Sequence, residues 1–587
     1  MKYTFLMFAV SAALDSWASF GPLLPSAEPY EREYIWPKDK MPDVQAGQVA
    51  AKTAETKAPG FKADDFRRPY IEWFAPNPSN RTDLCVLVIS GGGFWSCCDA
   101  ERLQPAIDRF VEAGITVANL TYRTPRPNGL PIHQSGWEDA QRAVRVVRSQ
   151  AAKRGFDPVK IGATGISAGA KLVLLLATSS QTPAYEPVDE VDRLPCNLLF
   201  AIPQAPAYVL SDGVTGPNSR GGDAIDVRLV PELKFDAKTC PMCLFQGGID
   251  EYSPNGSTQI YRQLRRMKIP AELHLDPDRG HGPVDAKKFE RAIEFMRQMG
   301  FLGPLKPEED LMKRTNDEGR GACSGKIDIW PKGKMPDVQT NQCTPYLEWH
   351  TPKVLKTKAI QIIYSGGCYT GNSPDGHEVA PARRFLNEHG MTVVTMKYRT
   401  PRPTGLQKHV TAWQDLQRAI RIVRSQAAGK GLDPNRIGIM GSSAGGHLTL
   451  MGATSSRHRA YWPIDELDKI PCNVQWAIAI YPAYALTDGG EKPNETRGTD
   501  DSARPVPEFS FDLDTCPILF IHGDADGWAA MNSVKTWEQL RRMGIQGELH
   551  TLAKRSHCFQ FKAVPGTGSY TWRDRIWDFL TRKGFNK

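Results

Sequence analysis

A serine, an aspartate and a histidine recur in this chain at one fixed spacing. Ser167, Asp250 and His281 are each followed 276 residues later by Ser443, Asp526 and His557. A serine hydroxyl is a weak nucleophile at neutral pH and needs a base to take its proton, and that base needs an acid to hold its tautomer and orientation. Both serines sit in Gly-x-Ser-x-Gly, as Gly165-Ile166-Ser167-Ala168-Gly169 and Gly441-Ser442-Ser443-Ala444-Gly445. Both acids close an apolar run, Leu244 to Asp250 and Phe520 to Asp526. Both histidines lie in a loop after a short strand-like run, Glu272 to Leu275 and Glu548 to Leu552. Asp524 competes with Asp526 for the role of acid, and the repeat disfavours it because Gly248 is its counterpart. His274 and His550 also repeat, but inside the strand-like runs, and are read as structural. This set of groups does acyl transfer: serine attacks a carbonyl carbon, and histidine carries the proton to the leaving group.

Such groups need positioning elements, and each serine motif has them. An apolar run precedes it, Val159 to Gly162 or Arg436 to Ile439, and a helix-like segment follows, Lys171 to Thr178 or His447 to Ala453. Strand, sharp turn and helix make the nucleophile elbow of the α/β-hydrolase fold, in which chain order runs Ser, Asp, His. Upstream, Cys85 to Ile89 ends in Ser90-Gly91-Gly92-Gly93-Phe94-Trp95, and Ile362 to Tyr364 ends in Ser365-Gly366-Gly367-Cys368-Tyr369. Strands apolar on both faces belong to a parallel sheet covered on both sides. The glycine turns are placed to offer N–H groups to an oxyanion, from Gly92, Gly93 and Ala168 in one half and Gly367, Cys368 and Ala444 in the other. The aromatics Phe94, Trp95, Tyr369 and Trp528 are candidate sugar-stacking walls.

The remaining chain repeats as well. Ile35-Trp36-Pro37 and Met41-Pro42-Asp43-Val44-Gln45 return as Ile329-Trp330-Pro331 and Met335-Pro336-Asp337-Val338-Gln339, with an extra stretch, Ala46 to Ala63, read as a surface loop in the first copy only. Pro69 to Trp73 and Pro345 to Trp349 read as edge strands. Trp137 to Ala152 and Trp413 to Ala428 read as matching helices, Arg142, Arg145 and Arg148 forming a solvated face. The expected fold class is α/β, with two tandem α/β-hydrolase domains, each a mostly parallel sheet flanked by helices. The expected boundaries are a signal peptide over 1–18, a first domain over 19–303, a linker over 304–326 rich in Pro, Lys, Glu and Gly, and a second domain over 327–587.

Composition narrows the class. With 41% apolar and 24% charged residues and a net charge of +8 without a long basic run, nothing argues for nucleic acid. Lys2, the apolar run Tyr3 to Leu14 and Ser16-Trp17-Ala18 resemble an export signal, too short for a permanent span. The expected location is secreted or periplasmic, without a membrane anchor or obligate protein partner. Twelve cysteines suit an oxidising compartment. Cys196 pairs with Cys472 by the repeat and Cys240 with Cys516, each before a strand-like run, so disulfides Cys196 to Cys240 and Cys472 to Cys516 are expected. Cys240-Pro-Met-Cys243 has metal-like spacing without a second pair, and Leu519 replaces Cys243 in the other half. No metal and no cofactor is expected.

Ser-Gly-Gly-Gly-Phe-Trp, Tyr122-Arg-Thr-Pro-Arg-Pro127, Asp139-Ala-Gln-Arg-Ala143, Gly-x-Ser-Ala-Gly and Pro206-Ala207-Tyr208 together resemble the bacterial acetylxylan esterases and feruloyl-esterase-like α/β hydrolases. The resemblance implies removal of acetyl or other acyl groups from a polysaccharide such as xylan outside the cytoplasm, with an acylated poly- or oligosaccharide as partner. Two departures stand out. The family's Ser-Ala-Gly-Gly-His-Leu is kept at Ser443 to Leu448, whereas the first half has Ala170-Lys171; the first half keeps the third loop glycine, whereas the second has Cys368. Open alternatives are a catalytically silent half serving as a glycan-binding or structural module, a feruloyl esterase, and, ranked lower, a serine peptidase or lipase.

Overall fold

The computed structural model describes residues 26–44, 48, 68–97, 100–211, 227–311, 320–488, 492–560 and 562–587. The signal-peptide reading and, Gln48 aside, the Ala46 to Ala63 loop fall outside them. In the first half the strands are β1 (Glu31–Tyr34), β2 (Tyr70–Phe74), β3 (Cys85–Ile89), β4 (Thr116–Thr121), β5 (Ile161–Ile166), β6 (Ala201–Gln204), β7 (Met242–Gly247) and β8 (Ala271–Asp276). They lie side by side in the order β1-β2-β4-β3-β5-β6-β7-β8, antiparallel up to β4 and parallel from there on. The second half supplies β9 (Tyr346–Pro352), β10 (Ile360–Tyr364), β11 (Thr392–Lys397), β12 (Ile437–Ser442), β13 (Trp476–Ile480), β14 (Ile518–Gly523) and β15 (Gly547–Leu552). Their order, β9-β11-β10-β12-β13-β14-β15, repeats the first half from β2 onward.

The two sets join. Strand β8 pairs antiparallel with β15, Leu275 opposite Leu549 and His274 opposite His550, making one 17-stranded sheet once the short strands Arg320–Cys323 and Ile327–Asp328 are added beside β9. Strand β2 is therefore covered by β1, and β9 by those short strands, so neither is the edge strand the sequence predicts. The expected linker is also tied down: Glu309–Asp310 pairs with Lys562–Ala563, and Arg320–Cys323 with β9.

Central strands such as β3, β5 and β7 are buried along their whole length; β3 is a continuous apolar run, as burial on both faces requires, and β5 meets the same demand with small residues around Ile161 and Ile166. Helices α1 (Gln104–Glu112), α2 (Gln134–Ser149), α3 (Ala168–Thr178), α4 (Asn255–Arg266) and α5 (Ala286–Met299) cover the first half. Their counterparts are α6 (Ala380–Glu388), α7 (Val410–Ala427), α8 (Ala444–Thr454), α9 (Met531–Arg542) and α10 (Gly568–Arg582). On one face, residues of α2, α3, α7 and α8 belong to a single apolar cluster that crosses the seam between β8 and β15; on the other face, each half has its own cluster.

Two expectations are corrected. Arg142 and Arg148 of α2 are buried rather than solvated: Arg142 forms a two-pronged pair with Asp189 at 2.6 and 2.7 Å, Arg148 donates to the carbonyls of Pro195 and Asn197, and Arg145 donates to that of Leu194. These guanidiniums staple the helix to the loop before β6. The four cysteines of the predicted disulfides are free thiols. Pairing of Ala201 with Met242 puts Cys240 level with Leu199, so Cys196 lies three residues upstream, and pairing of Ala477 with Ile518 gives Cys472 and Cys516 the same offset. That offset sets the two cysteines of each half out of step with one another, whereas a disulfide needs their Cα atoms within about 7 Å.

Candidate active site

Each elbow serine occupies a conformation that ordinary residues avoid, φ 57° and ψ −120° at Ser167, φ 56° and ψ −121° at Ser443. The turn lifts the hydroxyl off the end of β5 or β12 while α3 or α8 starts at the next residue. Here the motif's last glycine is a packing requirement: a Cβ on Gly169 would sit 2.2 Å from the Ile89 carbonyl oxygen, and one on Gly445 2.6 Å from that of Ser365. The helix can pass the end of β3 or β10 only without a side chain there.

Three groups then converge in each half. His281 Nε2 lies 2.8 Å from Ser167 Oγ, and its Nδ1 lies 3.0 and 3.1 Å from the Asp250 carboxylate oxygens. His557 Nε2 lies 2.8 Å from Ser443 Oγ, and its Nδ1 2.7 Å from Asp526 Oδ2. The aspartates are fully buried and the histidines about one-fifth exposed, so each chain of bonds opens to solvent away from its acid. Backbone N–H groups fix the acids from behind, Tyr252 N to Asp250 and Trp528 N to Asp526. Gln246 Nε2 also donates to Asp250 at 2.9 Å, and its counterpart His522 places Nε2 3.1 Å from Asp526. Burial opposes ionisation of Asp526, but His522 and His557 outweigh it and hold the carboxyl below the ordinary range. Asp524 is engaged elsewhere, accepting from Tyr261, Arg265 and the Ala271 N–H across the seam.

The glycine loops lie against the serines: a Cβ on Gly91 would stand 2.9 Å from Ser167 Cβ, and one on Gly366 2.5 Å from Ser443 Cβ. Within the loop, Trp95 N and Ser96 N donate to Gly92 O, and Thr370 N and Gly371 N to Gly367 O, so both loops turn back on themselves in the same way. Ala168 and Ala444 open their helices, where an N–H has no intrahelical acceptor. Cys368 adopts φ 55°, matching φ 63° at Gly93, so the residue that departs from the glycine pattern keeps the glycine's backbone path.

Two residues that the sequence motifs contain without revealing a role hold these loops. Arg126 donates to the Gly93 carbonyl at 2.9 Å and to Tyr208 Oη at 3.1 Å, and Arg402 donates to the Cys368 carbonyl at 2.8 Å and to Tyr484 Oη at 3.1 Å. Their 276-residue spacing was the available signal. Of the candidate aromatic walls, Phe94 and Tyr369 are buried, Phe94 against Tyr122 and Tyr208, and Tyr369 bonded to His447 Nδ1 at 2.9 Å, because the left-handed turn swings them into the core. They are not walls. Trp528 is 7% exposed and packs on Tyr484, whereas Trp95 is 65% exposed beneath the Arg126 guanidinium. The Tyr252 ring lies 4.6 Å from the His281 ring, tilted by 46°, where sequence reasoning placed nothing.

A doubly covered, mostly parallel sheet with a serine at a strained turn after its central strand defines an α/β hydrolase. Comparison with known proteins sharpens the class. The sequence profile of the BD-FAE family matches residues 72–193 and 347–539, more than half of the chain. The chain belongs to that family and is an α/β hydrolase of the carbohydrate-esterase type, resembling acetylxylan and feruloyl esterases. It is 28% identical over 209 residues to endo-1,4-beta-xylanase B of Butyrivibrio fibrisolvens, covering 34% of this chain and 32% of that one. It is 32% identical over 116 residues to an acetylxylan esterase of Xylanibacter ruminicola, covering 18% and 22%. The chain spans half or less of the length of the curated relatives it matches. Among solved structures, an acetyl ester-xyloside bifunctional hydrolase from Caldicellulosiruptor lactoaceticus matches with 24% identity and a TM-score of 0.37, over 45% of this chain and 97% of that one. Among the described residues, no helix is long and apolar enough to cross a membrane.

Proposed function

We propose that the protein is an exported serine carboxylic-ester hydrolase built as two tandem catalytic domains, each removing acetyl or a related acyl group from a polysaccharide such as xylan. One observation carries this reading: two separate Ser–His–Asp chains with the same 2.8 Å serine-to-histidine distance. In each, the histidine takes the proton of Ser167 or Ser443 as the oxygen attacks the ester carbonyl. The developing oxyanion is met by the N–H of Ala168 with those of Gly92 and Gly93, or of Ala444 with those of Gly367 and Cys368, donors typically worth about 3 to 4 kcal/mol each. The histidine returns the proton to the departing sugar hydroxyl, and water, activated the same way, releases the acid. Exposed Trp95 is the group suited to stack on a sugar ring. The names of the xylan-directed relatives support the substrate class, and the matching geometry favours two working sites over a silent module.

The test is acetate release from acetylated xylan and hydrolysis of a small aryl acetate by wild type, Ser167→Ala, Ser443→Ala and the double variant. Each single variant should keep part of the activity and the double variant less than about one part in a thousand of it. Full activity in the double variant would remove both nucleophiles from the reaction; a single variant equal to wild type on every ester would make that half silent.

A further inference from the structure

The two halves differ at one buried position beside the elbow. Lys171 lies four residues after Ser167, and His447 four after Ser443. Around them the frame is the same: His133 Nδ1 stands 3.7 Å from Glu232 Oε1, and His409 Nδ1 stands 3.7 Å from Glu508 Oε1. In the first half the Lys171 ammonium fills the space inside this frame, donating to Glu232 Oε1 at 2.5 Å and to the Tyr208 carbonyl at 2.9 Å. A positive charge thus sits between the carboxylate, the imidazole and the helix.

The second half puts a shorter, uncharged ring there. His447 is fully buried, and burial pushes its pKa below the ordinary imidazole range, as it pushes that of His409 to about 4. The Nδ1 of His447 is engaged with Tyr369 Oη at 2.9 Å, while its buried Nε2 faces Glu508 Oε1 at 3.3 Å. His409 Nδ1, His447 Nε2 and Glu508 Oε1 all lie within 4.8 Å of one another. Ligands held at about 2.0 to 2.2 Å around a tetrahedral zinc ion stand roughly 3.3 to 3.5 Å apart, and the two histidine-to-Glu508 separations here, 3.7 and 3.3 Å, lie within a few tenths of an ångström of that.

We propose that His409, His447 and Glu508 form a divalent transition-metal site, best matched to zinc, which takes the place in the second half that the Lys171 ammonium takes in the first. Two neutral imidazoles and one carboxylate are a zinc-type donor set and a poor one for calcium or magnesium, which prefer oxygen. The partly exposed Glu508 side chain leaves room for water as fourth ligand. Tyr369 fixes the outer nitrogen of His447 as second-shell partners of metal-bound histidines do. The ion would tie the first turn of α8 to the loop before β14, and through Tyr369 to the glycine loop.

Metal content decides the proposal without reference to catalysis. The full chain is stripped with a chelator, incubated with Zn²⁺ or Co²⁺, desalted and analysed for bound metal and for the visible absorption of four-coordinate Co²⁺. Wild type should hold one more equivalent than His447→Lys, which reproduces the first half's own arrangement, and Lys171→His should hold one more than wild type. Thiol binding by the free cysteines is common to all three proteins and cancels in the differences. Glu508→Gln serves as second variant and should bind at least 10-fold more weakly than wild type. Equal metal content in wild type, His447→Lys and Glu508→Gln overturns the proposal, as does a Co²⁺ spectrum that none of these substitutions changes.

Discussion

Glu272→Gln should stabilise this protein above neutral pH, while the same change at the repeat-related Glu548 should destabilise it. The two carboxylates flank the seam, where His274 Nδ1 meets His550 Nδ1 at 3.0 Å, His274 Nε2 meets Glu272 Oε2 at 3.0 Å and His550 Nε2 meets Glu548 Oε1 at 2.7 Å. Burial pushes both imidazoles well below their ordinary range, so both are neutral and each has one N–H. Glu548 is paired with Arg582 and acts as an acceptor, so His550 carries its proton on Nε2. Its Nδ1 must then accept from His274, whose Nε2 is left as an acceptor facing Glu272. The chain of bonds closes only if Glu272 is the protonated acid, and burial does push its pKa up, to about 8.

The folded pKa lies above the ordinary 4.5, so the folded chain keeps a proton that the unfolded chain releases between about pH 4.5 and 8, and stability falls as pH rises through that window. At pH 7 the ceiling is 2.5 units at 1.36 kcal/mol each, about 3 kcal/mol, and relaxation of the interior brings the expected loss to about 1 to 3 kcal/mol. Glutamine has the hydrogen-bonding pattern of the protonated acid: its amide can donate to His274, and its carbonyl can accept the Ala553 N–H that Glu272 accepts at 3.0 Å. Denaturant unfolding of wild type and Glu272→Gln at pH 5, 7 and 8.5 should show little difference at pH 5 and a variant more stable by about 1 to 3 kcal/mol at pH 8.5. Glu548→Gln should lose about 1 to 2 kcal/mol at pH 7, because Arg582 loses its buried carboxylate and keeps only Asp276 and Asp278. A gap between wild type and Glu272→Gln that does not change with pH, or a Glu272→Gln protein weaker at pH 8.5, would refute the protonation assignment.

The remaining expectations concern the sites. With Ser167 silenced by alanine, Asp526→Asn should lower kcat on an aryl acetate by roughly 10⁴, since the wrong histidine tautomer is then favoured. Asp524→Asn in the same background should leave kcat within a few-fold of its parent and instead lower thermal stability, because that carboxylate serves Tyr261 and Arg265 at the seam. With Ser443 silenced, Gly93→Ala should lower both kcat and stability, the latter by about 1 to 2 kcal/mol, because φ there is 63° and the new Cβ would lie 3.1 Å from Tyr208 Oη. Cys368→Gly should raise stability or leave it unchanged, read from the same melts. Gly169→Ala should cost about 3 kcal/mol or more, since its Cβ meets the backbone oxygens of Ile89 and Ser90 on a strand that cannot move aside, and soluble yield and melting temperature would register it.

What was legible in the sequence was whatever chemistry ties to a local pattern. A nucleophile elbow needs small residues within five positions, so Gly-x-Ser-x-Gly announced both turns, and a repeat of 276 residues carried acid and base along with the serine. Parallel strands need apolar residues on both faces, so β3 was readable as an unbroken run, whereas β5, with Gly162, Thr164 and Gly165 in it, was marked by the elbow that follows it. Long-range consequences were not. Arg142 and Arg148 look like a solvated helix face because their partners, Asp189 and the carbonyls before β6, lie about 50 residues away and carry no helical period. The cysteine offset is a matter of three residues of register between β6 and β7, which no property of either run records. Phe94 and Tyr369 follow glycine-like turns that reverse the direction in which a side chain points, so their nearness to the site in sequence misstates their place in space.

The seam was the least legible feature, and it explains where the halves diverge. A strand that pairs with its own copy about an antiparallel axis puts the same residue on both sides, hence His274 against His550. Symmetry alone would leave two identical imidazoles each needing the other's proton. The fold resolves this by making the surroundings unequal. Asp524 has Gly248 as its counterpart, so one aspartate reaches Tyr261, Arg265 and the Ala271 N–H from one side only, and the Gly248 carbonyl accepts from Arg541 on the other. Beside Asp250 and Asp526, Gln246 and His522 differ in the same way, yet each joins a serine to the acid, Ser257 to Gln246 at 2.6 Å and Ser533 to His522 at 2.8 Å. Substitution is thus tolerated where a different group completes the same hydrogen-bond circuit, and the Ser–His–Asp groups, for which no other set supplies the same circuit, are the ones both halves retain.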